Sequence, residues 1–68
     1  MAVSYKKLWK MLIDRDMMKR DLAREAGISG ATIAKMSKGE SVTTTVLVKV
    51  CKALDCNIED IMEIVKDE

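Results

Sequence analysis

The chain has 68 residues, 49% hydrophobic and 34% charged, with 12 Lys+Arg against 11 Asp+Glu, no histidine and no proline. That length admits one domain of modest stability, which buries only about 60% of its unfolded surface, and the high apolar fraction excludes a disordered tail. With three glycines and no proline there is little material for a turn-rich β-sandwich, and no apolar run is long enough to span a membrane. Residues 1–68 are therefore read as one all-α domain. The start, Met1-Ala2-Val3-Ser4, leads straight into charged residues and lacks a signal peptide's apolar core, so a cytoplasmic location is expected.

Helical periodicity runs through nearly all of the chain. Tyr5, Leu8, Trp9 and Leu12 follow i, i+3, i+4, i+7, with Lys6, Lys7 and Lys10 on the opposite side and Ser4 as the expected N-cap. Asp14-Arg15-Asp16 is a polar exit. A second helix fits Lys19 to Ala26, burying Leu22, Ala23 and Ala26; Met18 stands where a capping Ser or Thr would serve better. Gly27 stops it by taking the left-handed conformation without a Cβ penalty. Ser29 caps a third helix to about Lys38, with Ile33 and Met36 inward, and Gly39 closes it. The polar loop Glu40-Ser41-Val42-Thr43 ends in a Thr cap for a fourth helix, Thr44 to Leu54, whose inner face is Leu47, Val50, Cys51 and Leu54. The β-branched run from Val42 to Val46 also has strand character. Asn57 caps an expected fifth helix with apolar positions Ile58, Ile61, Met62, Ile64 and Val65, and Glu59 and Asp60 in its first turn suit the helix dipole.

The two cysteines, Cys51 and Cys56, are too few for a structural zinc site without histidine partners. They read as small apolar packing residues in a reducing compartment. No catalytic set, metal site, cofactor or small-molecule ligand is expected. Ser and Cys have no evident base, and the acids are scattered over helix faces.

The strongest pattern is KRDLAREAGISGATIAKMSK at about residues 19–38. Ala23 is small enough to let the next helix approach. Gly27 supplies a positive φ for the tight turn. Ile28 and Ile33 bury between the two helices and fix a crossing of about 90–120°, while Ser29 caps the second helix and leaves its first residues facing out. This pattern resembles the helix-turn-helix of the Cro/phage-repressor type, the XRE family. The family pattern Gln-x-x-Leu-Ala-x-x-x-Gly-[Ile/Val]-Ser-x-x-Thr-Ile-x-x-[Ile/Met] is met here by Leu22-Ala23, Gly27-Ile28-Ser29, Thr32-Ile33 and Met36. The stretch from Leu47 through Leu54 to Ile61 is similar to that family's fourth and fifth helices, so the resemblance covers about residues 4–65.

The resemblance implies a lambda-repressor-like domain of five short helices that places its third helix in the major groove of double-stranded DNA. It puts base readout at Gly30, Ala31, Thr32 and Lys35, and phosphate contacts at Lys19, Ser29, Lys38, Ser41 and Thr43. Three departures stand out. Lys19 replaces the family's usual Gln. Ser37 and Leu12 stand where many members pair a Glu with an Arg, so packing is expected in place of that ion pair. Gly30 and Ala31 stand where Gln, Arg or Asn usually read bases, and neither can make a bidentate hydrogen bond to a base edge. Thr32 and Lys35 remain as the readers with reach, and discrimination is expected to be weak or to rest on DNA shape.

Charge agrees once it is divided by region. Residues 1–40 hold nine Lys+Arg and five Asp+Glu, whereas residues 41–68 hold three and six. Lys19, Arg20, Lys35 and Lys38 gather around the motif, which is the local patch that phosphate attraction needs. Ile61, Met62, Ile64 and Val65 of the last helix either pack on the core or form a two-fold dimer interface. The expected function is a sequence-specific transcriptional regulator, a small homodimeric repressor. The alternative is an antitoxin-like or bridging protein-interaction module with weak DNA binding.

Overall fold

The computed structural model describes residues 2–66, and it opens with a short strand, β1 (Ala2–Ser4), rather than a helix. Ser4 is therefore not the N-cap. Tyr5 holds that position without a side-chain cap bond, and Ser4 Oγ accepts only a long hydrogen bond, 3.4 Å, from the Lys6 N–H. The helices α1 (Lys6–Asp14), α2 (Lys19–Ala26), α3 (Gly30–Ser37) and α4 (Thr44–Leu54) then follow where periodicity and punctuation put them. Ser29 Oγ accepts the Thr32 N–H at 3.1 Å and Thr43 Oγ1 accepts the Val46 N–H at 3.3 Å, so each takes up a first-turn donor that has no partner inside its helix. Met18 offers no such group. Asp21, inside α2, instead reaches back to accept the Met18 N–H at 2.8 Å.

All four helices end in the same way. The N–H groups of Met17, Ile28, Glu40 and Cys56 bond the carbonyls of Leu12, Ala23, Lys35 and Cys51, five residues back, at 2.9 to 3.1 Å. In each case the preceding residue is left-handed: Asp16 (φ 55°), Gly27 (φ 70°), Gly39 (φ 75°) and Asp55 (φ 52°). This is the Schellman closure, which satisfies otherwise orphaned carbonyls and brings the two flanking side chains together. Glycine is the residue that marks such a closure in a sequence. Asp16 and Asp55 achieve it at some backbone cost, since a side chain crowds the following carbonyl there.

The core is drawn from all four helices. Leu8 and Leu12 come from α1, Leu22 from α2, Ile33 and Met36 from α3, and Leu47, Val50 and Leu54 from α4, joined by Tyr5 and Ile61. Trp9, Ala23, Ile28 and Cys51 are half-buried around it. α2 packs against both α3 and α4, which fixes the helix-turn-helix on the rest of the domain.

The fifth helix does not form. Ile58–Asp60 makes one 3₁₀ turn, and Glu63–Val65 forms β2, antiparallel to β1 with Ala2 opposite Val65, Val3 opposite Ile64 and Ser4 opposite Glu63. The spacing of Ile58, Ile61, Met62 and Val65 suits a helix locally. The β-branched pair Ile64-Val65 suits a strand equally well, and the edge of β1, distant in sequence, supplies the hydrogen-bond partners that decide between them. Lys7 Nζ donates to the Glu59 carbonyl at 3.2 Å and ties the turn to α1. Asp67 and Glu68, part of the acidic section, lie outside the described residues.

Candidate nucleic-acid interface

Leu22 and Ile33 are buried on either side of the Gly27 turn, and their packing sets the angle at which α3 leaves α2. The opposite side of α3 faces out. Gly30, Ala31, Ala34 and Lys35 are exposed, and a Cβ built on Gly30 would meet nothing within 4 Å. No packing demand therefore keeps Gly30 small. Thr32 is half-buried, and its Oγ1 lies 2.9 Å from Ser29 Oγ in a shared hydrogen bond. Its hydroxyl is thus engaged in the helix cap, and Lys35 is the long polar side chain on this face, without an acid partner among the described residues.

A shallow cleft between α3 and the start of α4 is lined by Thr32, Lys35, Ser41, Val42, Thr43 and Val46. It brings two residues assigned to base readout next to two assigned to phosphate contact. Val42 and Val46 were not singled out by sequence reasoning for this face; their apolar side chains add methyl groups to the cleft. The loop that carries Ser41 and Thr43 is fastened from behind, because the Tyr5 hydroxyl donates to the Glu40 carbonyl at 3.1 Å. Burial raises the Tyr5 pKa, partly offset by a hydrogen bond from the Val42 backbone, so the phenol stays protonated and able to donate.

Lys19 lies apart from that cleft, at the other end of α3. Its ammonium sits 4.4 Å from the centroid of the Trp9 ring and donates to Ser37 Oγ at 2.9 Å. Ser37 in turn donates to the Ile33 carbonyl at 3.0 Å. Packing by the buried Leu12 thus fills only one half of the missing ion pair, and Lys19 occupies the other. From the sequence, Trp9 belongs to the apolar face of α1, and packing is expected in place of an ion pair at Ser37. The only available signal was that Lys19 and Ser37 depart from the family pattern together. Lys38, Ser29, Ser41 and Thr43 are exposed as expected, and Arg20, Lys35 and Lys38 pair with no acid among the described residues. Arg24 does, with Asp21 at 3.0 Å.

A family model for the Cro/C1-type HTH DNA-binding domain matches residues 7–67. The chain belongs to that family. The crystal structure of the transcriptional regulator VanUg, Form II, superposes with a TM-score of 0.92 at 48% sequence identity, over 97% of this chain and 88% of that one. No curated protein matches. The family is one of DNA-binding domains, generally without enzymatic activity. Among the described residues, no helix is long and apolar enough to cross a membrane.

Two further groups of residues take their places in this Cro/C1-type domain. Of the residues named for a dimer interface, Ile61 is wholly buried at 0% exposure and belongs to the core, and Met62 is half-buried. Ile64 (55%) and Val65 (39%) remain exposed, on a strand and not a helix. The two cysteines are free, and they are the flanking side chains of the α4 closure. Burial first, then the neighbouring Cys51, raises the Cys56 pKa. A thiol kept protonated is a poor nucleophile, which fits a packing role.

Proposed function

We propose that this chain is a transcriptional regulator that binds double-stranded DNA as a cytoplasmic homodimeric repressor, with α3 in the major groove. The observation that carries the reading is the outward face of α3. Gly30 and Ala31 at its start are exposed behind the Ser29 cap, Lys35 and Lys38 are cations that pair with no acid among the described residues, and the cleft to α4 has Ser41 and Thr43 beside it. Lys19, Ser29, Lys38, Ser41 and Thr43 hold phosphates and set the register; Gly30, Ala31, Thr32 and Lys35 face base edges. Ile64 and Val65 supply the exposed apolar surface for a second copy, so that two α3 helices would lie about one DNA turn, ~34 Å, apart.

Selection from a random duplex library at near-physiological salt tests this reading. The expected result is an enriched two-fold motif with one-turn spacing. Lys35→Ala is expected to change the enriched sequence as well as weaken binding; an equal loss on every sequence would make Lys35 a phosphate contact only. The protein-interaction reading is favoured by one observation, that Gly30 and Ala31 carry no hydrogen-bonding side chain while the Thr32 hydroxyl is engaged by Ser29. A folded protein that enriches no motif would support it.

A further inference from the structure

We infer that Trp9 and Ser37 act as positioning residues for DNA binding, by holding the Lys19 ammonium as a pre-set phosphate clamp. The inference rests on the DNA-binding reading above. Lys19 is the first residue of α2 and is exposed, yet its flexible side chain is held at two points. The Trp9 ring lies 4.4 Å from Nζ, within the range at which the negative face of an indole attracts a cation. Ser37 Oγ lies 2.9 Å from Nζ, and because its own proton goes to the Ile33 carbonyl at 3.0 Å, its lone pair is turned towards the ammonium.

These contacts join three helices, α1, α2 and α3, at one cation. An ammonium has three donors, and Ser37 takes one of them. With one more turned to the Trp9 ring, a donor remains for a phosphate oxygen, so Lys19 can bind DNA without leaving its place. A lysine on a free stem must lose its rotamer freedom when it docks; one already held loses less, and the difference appears as affinity. The Arg24–Asp21 pair on the same helix does the reverse, because it occupies a cation with an acid.

A double-mutant cycle on duplex binding separates this role from simple bracing. Ser37→Ala is expected to weaken binding about three- to fivefold with the salt slope unchanged, since no charge is removed. Lys19→Ala is expected to weaken binding further and to reduce the slope by about one unit. Added to Lys19→Ala, the Ser37→Ala change should cost nothing more, because the group it positions is gone. In the absence of DNA, Lys19→Met is expected to shift the emission of Trp9, the chain's single tryptophan.

An equal Ser37→Ala loss in both backgrounds, or no loss in either, would overturn the inference while leaving DNA binding intact. Unchanged Trp9 emission in Lys19→Met would overturn it as well. Failure of the unmodified protein to bind any duplex would sink the DNA-binding reading itself, and this inference with it.

Discussion

The helix-turn-helix of α2 and α3 and the C-terminal stretch of residues 57–65 are held in place by different kinds of contact. In the first, the caps and the turn are closed by contacts short in sequence. Asp21 reaches Met18, Ser29 reaches Thr32, and the Ile28 N–H closes on the Ala23 carbonyl across Gly27. In the second, Asp60 reaches the Asn57 N–H locally, but the rest is long-range: Lys7 to Glu59, and β2 along β1 at the opposite end of the chain. Local closure shapes the turn between α2 and α3, and packing of α2 on α4 then fixes that pair in the domain. Distant pairing ties the two chain ends together and leaves Ile64 and Val65 outside.

The sharpest way to break this comparison is to empty the one deep anchor of the C-terminal stretch. Ile61→Ala removes a side chain with 0% exposure, and it is expected to cost about 2–5 kcal/mol in denaturant unfolding, as large-to-small core changes do. A loss well under 1 kcal/mol would mean that the stretch is only loosely docked. Next comes the local turn. Gly27→Ala places a Cβ in open space but at φ 70°, so the backbone alone resists it, by about 1–2 kcal/mol. A neutral result in thermal unfolding would show that the turn is set by packing and not by its own conformation.

Smaller effects refine the picture. Asp55→Gly relieves the left-handed closure of α4, φ 52°, and is expected to stabilise by about 0.5 kcal/mol, the gain being reduced by the greater freedom of glycine in the unfolded chain. A lower melting temperature would mean that the Asp55 side chain contributes more than its strain costs. Least of all in stability is Ile64→Asp, on an exposed position, expected within about 0.5 kcal/mol of the parent. Its readout is mass by light scattering. A shift from dimer to monomer is expected, and an unchanged mass in a folded protein would remove β2 from the interface.

The helix boundaries around the site could be read directly from the residues. Ser29 and Thr43 announced their helices because a hydroxyl before an apolar-periodic run has one obvious use, and Gly27 and Gly39 announced the ends. The closures at Asp16 and Asp55 passed unnoticed, since aspartate has many other uses and left-handed backbone is a rare one. The phosphate role of Lys19 is an expectation that the family resemblance implies. Its partners were not found, because Trp9 and Ser37 lie 10 residues before and 18 residues after it in the chain, and neither lies at a spacing that one helix would bring together.

Composition and period alone settled the all-helical character of residues 6–54, the inward faces, and the turn that sets α3 outward. These are determined by interactions within a few residues, where a pattern and its physical consequence lie side by side in the chain. The tertiary structure alone decided the strand at residues 63–65, the burial of Ile61, and the meeting of Trp9, Lys19 and Ser37. Each of those depends on which distant backbone edge or side chain is nearby, and an apolar stripe that fits two local conformations takes the one for which the rest of the molecule supplies a partner.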